Sequence, residues 1–218
     1  MNKNTKIVIG VVAIIAVLAI VIAVVAMNSK PKTNLEPITA AEDLSALVDK
    51  IYEGLEIQMP MLMTQPIDVA DSEMVTYITG LDSTDGVEYV VASEPMMTSQ
   101  AYSLVLVKVK DGANIEQMAK KMNENIDERK WICVTADKIY TTTSGDVICL
   151  VMSNEETAKA VYSNFKTLAG TIGEEYERSA EVFEMPDDML PADDGTELPA
   201  EDGTELPAED TDNVPAVM

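Results

Sequence analysis

The stretch AYSLVLVKVK at residues 101–110, closed by Asp111-Gly112 and followed by NIEQMAKKMNENI at 114–126, decides the fold class. Val105, Val107 and Val109 share one face of a strand, and Leu104, Leu106, Lys108 and Lys110 share the other. That is half-buried alternation fading to a solvated end. The period then changes. Asn114 is placed to cap a helix, and Ile115, Met118, Ala119, Met122 and Ile126 recur at helical spacing between Glu, Lys, Asn and Gln. A strand handing over to an amphipathic helix within one turn predicts a mixed α and β domain.

Working outward, Val87 to Ala92 reads as a strand before this pair. After it, Val134 to Thr142 and Val147 to Ser153 read as two more, joined by Ser144-Gly145-Asp146. Ser153 and Glu156 have capping-box spacing, and Ala158, Val161, Phe165, Leu168 and Ala169 give a last helix stopped by Gly170 and Gly173. Upstream, Thr39 and Glu42 repeat the capping box before a helix carrying Leu44, Leu47, Val48, Ile51 and Leu55. Two prolines mark Met59 to Asp68 as loop or extended chain. A short helix fits Ser72 to Thr79, between Asp71 as cap and Gly80 as stop. The expectation is one α+β domain over residues 39–173. It has two layers, an antiparallel four-stranded sheet in ββα-ββα order with helices on one face.

The flanks are unlike the domain. Ile7 to Met27 is 21 residues without a charge, a helix of about 31 Å that matches a hydrocarbon core. Residues 1–6 then read as a short cytoplasmic N-terminus, 7–27 as a transmembrane signal anchor, and 28–38, with Pro31 and Pro37, as a linker. The alternative is a cleaved signal peptide ending at Val24-Val25-Ala26. Either way the domain is expected to be exported, and with the anchor retained the expected localisation is the cell membrane, single-pass, with the C-terminal domain extracytoplasmic. From Glu174 to Met218 there are 16 acids and one base, Arg178. Asp194 to Glu201 recurs as Asp202 to Glu209, with a Pro and a Gly in each octapeptide. Such a repeat buries too little apolar surface to offset chain entropy, and a disordered acidic tail is expected over 174–218.

Composition removes several chemistries. The 218 residues carry no histidine and a net charge of −23. Zero His rules out Ser-His-Asp and Cys-His catalysis and His-ligated zinc or haem. The charge argues against nucleic acid as a partner and against adhesion to anionic lipid through a basic surface.

Few motifs carry chemistry. Cys133 and Cys149, the only two cysteines, flank the third and fourth expected strands. They would either bridge a hairpin, worth about 3 kcal/mol by chain entropy, or stay as two buried free thiols. Met59, Met61 and Met63 alternate, and Met96-Met97 follow. Thioethers in that pattern suit Cu(I) or Ag(I), but methionine is also the filler of irregular cores, and core packing is the reading favoured here. Asp82 to Gly86 resembles half a calcium loop but fails the EF-hand template and reads as a turn. Glu155-Glu156 has acids where a helix N-terminus wants them. The tail's acids offer at most a weak, dispersed affinity for Ca²⁺. No catalytic, cofactor-binding or metal site is expected, and no cofactor.

The runs Met59-Pro60-Met61, Tyr77 to Asp82, Ser93 to Met97 and Val105 to Asp111 together resemble a domain-of-unknown-function family. That family comprises short membrane-anchored or lipoprotein-type proteins of Clostridia and related Gram-positive bacteria. The resemblance covers roughly residues 40–168. It implies an extracytoplasmic α+β domain behind an N-terminal anchor and supplies no ligand or catalytic residue. This chain departs from the lipoprotein members in having no acylated cysteine. The functional expectation is a membrane-tethered binding or structural module of the bacterial envelope, without catalysis, whose partner is an envelope protein or wall component. The alternatives are a cation-buffering surface protein acting through its tail and a carboxylate-dependent cell-surface hydrolase.

Overall fold

The computed structural model describes residues 33–97 and 99–180. In chain order the elements are α1 (Ala41–Tyr52), β1 (Leu62–Ile67), α2 (Ser72–Thr79), β2 (Val87–Pro95), β3 (Tyr102–Val109), α3 (Ile115–Asn125), β4 (Lys138–Ser144), β5 (Val147–Ser153), α4 (Glu155–Ala169) and β6 (Tyr176–Ser179). The α+β class stands, but the sheet has six strands, not four, in the order β1-β2-β3-β5-β4-β6. Every pairing in it is antiparallel.

Both additional strands lie at edges. β1 contains Pro66, which a central strand would not tolerate because it cannot donate to a ladder. β6 is four residues long, alternates half-buried with exposed positions, and starts in the stretch that reads as acidic tail. Neither has the apolar alternation from which the interior strands are legible.

The helices cover both faces, so the expectation of one covered face is also corrected. Val75 and Ile78 of α2 and Ala119 and Met122 of α3 pack with Val90, Val105, Val107, Ile148 and Leu150. On the other side Leu44, Val48 and Ile51 of α1 and Val161 and Phe165 of α4 pack with Val91, Leu104, Leu106, Cys149 and Val151. Each fully buried aliphatic side chain there contributes about 1.5–3 kcal/mol. β3 and β5 are consequently buried at every position, as strands covered on two faces must be. The Lys108 end of β3, read as solvated, is buried as well. Its ammonium pairs with Asp146 and lies 4.0 Å from Glu88.

Topology explains the split of helices. β3 and β4 both run antiparallel to β5 and so are parallel to each other, with α3 crossing between them. β5 and β6 likewise both flank β4, with α4 crossing between them. The two crossovers move in the same direction across the sheet but leave from strands of opposite sense. A single handedness therefore sends α3 and α4 to opposite faces.

The caps shift by one residue from the sequence reading in two places. Thr39 pairs with Asp43 rather than Glu42: Asp43 Oδ2 accepts from the Thr39 amide at 2.7 Å, the Thr39 hydroxyl at 2.8 Å and the Ala40 amide at 3.0 Å. These bonds hold its carboxyl below the usual range. Asn154, not Ser153, caps α4 by accepting from the Thr157 amide at 2.9 Å. Asp71 and Asn114 cap α2 and α3 as expected.

Among the described residues no helix is long and apolar enough to cross a membrane. The transmembrane signal anchor expected over Ile7 to Met27 lies outside the described residues, as do the octapeptide repeats. The single-pass membrane localisation and the extracytoplasmic placement derived from it therefore find no supporting span. They are withdrawn and do not enter the functional reading.

Candidate functional site

One row of residues crosses the whole sheet on the α2–α3 face. Met63 on β1 is opposite Glu94 on β2, and Glu94 accepts a hydrogen bond from Ser103 on β3 at 2.9 Å. Ser103 is opposite Met152 on β5, Met152 opposite Ile139 on β4, and Ile139 opposite Arg178 on β6. The loop between α3 and β4 straps across this row, tied near each end by an ion pair. Glu128 meets Arg178 at 2.7 Å and Lys130 meets Glu94 at 2.5 Å. Arg178 also donates to the carbonyls of Asn123 at 2.8 Å and Ile126 at 2.6 Å, capping the C-terminal end of α3.

The Lys130 end is the more unusual. Its side chain is 1% exposed. Its ammonium donates to the Ser103 hydroxyl at 3.2 Å and stands 5.5 Å from the ring centroids of both Tyr77 and Trp131. The Tyr77 hydroxyl donates to the Lys130 carbonyl at 3.2 Å, which closes α2 onto the strap. Burial pushes the Lys130 amine down, and the Glu94 carboxylate opposes the shift. A serine beside a lysine invites comparison with Ser–Lys nucleophile pairs, in which a neutral amine takes the hydroxyl proton. Here the Ser103 hydroxyl donates its hydrogen bond to Glu94 and not to the amine, and the same carboxylate favours the charged amine. The arrangement is a satisfied polar pin beneath a surface.

That surface is apolar. Among the described residues seven large hydrophobic side chains are exposed: Met61, Met63, Met74, Tyr77, Met96, Met97 and Ile132. Met61, Met63, Met74, Tyr77, Met96 and Ile132 lie on or directly beside the elements that meet at the pin. Met63 faces Glu94 in register, and the Met96 amide donates to the Met61 carbonyl at 3.0 Å. Tyr77 contacts Lys130, Met74 precedes it by one helical turn, and Ile132 follows Lys130 on the strap. The core-filling role expected for the methionines thus holds only for Met59, which packs half-buried against the α1–α4 core. Met61, Met63, Met96 and Met97 are 73%, 49%, 60% and 66% exposed.

The structure does not bring the two cysteines together. Cys133 is an exposed free thiol on the strap, with φ of 61°. Cys149 is a buried free thiol on β5, directed at the opposite face among the residues of α1 and α4. Burial pushes the Cys149 thiol far up. Asp82 to Gly86 behaves as a turn: the Val87 amide donates to the Thr84 carbonyl at 3.0 Å, and Asp82 pairs with Lys121 at 2.8 Å.

Two other concavities flank the sheet. A cavity of about 440 Å³ is lined by Gln58, Pro60, Gln100, Tyr102, Asn154 and Thr157 among others, with no carboxylate. One of about 400 Å³ has Glu88 and Asp111 interspersed with Lys108 and Lys110. Comparison with known proteins finds no matching family model, no matching curated protein and no matching solved structure.

Glu94, Ser103 and Lys130 went unnoticed in the sequence. One signal was available: Glu94 continues the inward alternation of Val90 and Ala92, where an acid needs a buried partner.

Proposed function

We propose that this domain is a binding module, without catalysis, that docks an apolar, positively charged segment of a partner protein on the methionine face. The observation that carries the reading is that six of the seven exposed large hydrophobics lie on or directly beside the elements that meet at the Lys130–Glu94 pair. Scattered exposed apolar residues need no explanation, whereas a contiguous patch marks an interaction site. Methionine suits such a site because its unbranched, polarizable arm adapts to varied partners.

Charge selects the partner. Residues 51–100, which supply six of the seven side chains, contain nine Asp or Glu and neither Lys nor Arg. Glu73 and Asp127 are exposed beside Met74 and the Lys130 strap. An apolar patch rimmed by acids complements an amphipathic basic segment. The polar pin beneath it holds α2, the strap and the β1–β2 edge in one arrangement, so the patch is preorganised.

Selection of random peptides on the full chain tests this. The expected result is a consensus of bulky apolar residues spaced with Lys or Arg. Its binding is lost in the Met61→Ser, Met63→Ser, Met96→Ser variant and weakens with salt. Acidic or non-apolar consensus peptides, or full binding by the serine variant, would overturn the reading.

A further inference from the structure

The β1–β2 edge carries a second chemistry that peptide docking does not need. Leu62 is opposite Pro95 and Met63 is opposite Glu94. The 3.0 Å bond from the Met96 amide to the Met61 carbonyl extends the ladder by one pair and sets Met61 opposite Met96. Residues two apart on a strand share a face. Met61, Met63, Glu94 and Met96 therefore stand at the corners of one cross-strand rectangle, three thioethers and one carboxylate. Directly opposed positions have Cβ atoms about 4.5–5.5 Å apart, and each methionine arm has three rotatable bonds with which to bring its sulfur inward. None of the three is needed to fill the core, and all are reachable from solvent.

We propose that Met61, Met63 and Met96 form a surface site for a soft monovalent ion, Cu(I), with Ag(I) as its redox-inert equivalent. Soft thioethers select Cu(I), while hard divalent ions prefer oxygen sets. The Glu94 corner places negative charge beside the ion, although its Oε1 is already engaged by Lys130 and Ser103. Binding exchanges solvent for three sulfurs and changes no oxidation state.

The test titrates the full chain with Ag(I), and under anaerobic conditions with Cu(I) against a chromophoric Cu(I) chelator. Two variants separate the possibilities. Met61→Leu, Met63→Leu, Met96→Leu removes the sulfurs but keeps size and apolarity at exposed positions. Cys133→Ser removes the exposed thiol, the other soft group within reach of solvent. The Cys133→Ser variant should take up one ion, with perturbation of the methyl resonances of Met61, Met63 and Met96, and wild type should show the same perturbation besides any ion held by its thiol. The leucine substitutions, made in the Cys133→Ser background, should lower affinity by more than the about 100-fold that loss of a supporting group alone can cost, while circular dichroism is unchanged. Full uptake by the leucine variant, or loss of uptake in the Cys133→Ser variant, would overturn the assignment. Peptide docking survives in the leucine variant, whose surface stays apolar, so this proposal and the docking proposal fail separately.

Discussion

Lys130 and Glu94 share an ion pair of 2.5 Å but not an environment: the lysine side chain is 1% exposed and the glutamate 27%. The consequences of breaking the pair therefore differ by side. Glu94→Gln strands an ammonium that water cannot reach and should cost about 3 kcal/mol. Lys130→Met leaves a carboxylate that can rehydrate and should cost less. The double variant should recover most of the loss, since a neutral pair of similar volume is often no worse than a buried ion pair. Urea midpoints of the four proteins check this. Equal costs for the two single variants would contradict the asymmetry.

Gly80 ends α2 with φ of +74°, and a Cβ there would come within 2.6 Å of the Ile126 amide nitrogen at the end of α3. Gly54, after α1, has nearly the same φ of +72° and nothing within 4 Å of the added carbon. Alanine at Gly54 should cost only the left-handed conformation, about 1–2 kcal/mol. Alanine at Gly80 should cost that and also a backbone shift between two helices, at least about 3 kcal/mol in all. Thermal unfolding of both variants measures the difference, and equal costs would mean that α2 and α3 do not approach so closely.

Stability should fall at both ends of the pH scale. Burial pushes the Tyr52 hydroxyl up to about 12, and desolvation with the nearby Glu174 does the same to Tyr176, also to about 12. Tyr102, bonded to Tyr52 at 2.8 Å, is also raised well above its ordinary value by burial. Phenols of the unfolded chain ionise near about 10. A folded-state value above the unfolded one gives stability that is complete below about 10 and disappears as pH rises through about 12. Lys130, pushed down by burial, acts the other way and earlier, its contribution rising with pH from its lowered folded value up to about 10.4. On the acid side, hydrogen bonds from Lys166 and Tyr162 hold the Glu175 carboxyl low. Burial of Glu128 acts the other way, but the Arg178 guanidinium overrides it and that carboxyl is low as well. Their contribution is present above about 4.3 and is lost as pH falls through the folded values. Denaturant midpoints across pH, with tyrosinate absorbance on the alkaline side, should trace both limbs. A midpoint that stays level to pH 12 would contradict the tyrosine argument.

The two thiols should react as two populations. Cys133 is exposed and should react with a maleimide in the native protein. Cys149, buried and with its thiolate strongly disfavoured, reacts only on global unfolding. Mass spectrometry of a timed labelling series should show one rapid adduct and a second whose rate follows denaturant. Two rapid adducts would mean that β5 opens locally.

Local order was legible wherever one short segment contains its own instructions. Asp71 with Gly80, and Asn114 with the spacing of Met118, Ala119 and Met122, specify α2 and α3 through cap bonds and periodicity that span only a few residues. β3 and β5 declared themselves by unbroken apolar runs, although a run alone does not say whether one face or two are covered. β1 and β6 escaped because edge strands need only one neighbour and so tolerate Pro66 or a polar, four-residue segment.

The sequence by itself determined the order of the helices and interior strands, though β4 runs from Lys138 to Ser144 and not from Val134 to Thr142, which catalytic chemistries a chain without histidine lacks, and where the charge lies. Tertiary structure alone decided that α3 and α4 take opposite faces, because that follows from the direction of the strands they leave. It also put Cys133 and Cys149 on opposite sides of the sheet and drew Glu94, Ser103 and Lys130 into one hydrogen-bonded cluster. The methionines show the division most clearly. Alternation at Met61 and Met63 is written in the chain, but their exposure and the placing of Met96 opposite Met61 arise from β1 pairing with β2, two strands separated in sequence by a helix. Contacts between distant segments depend on register and on what covers each face, and no local pattern encodes either.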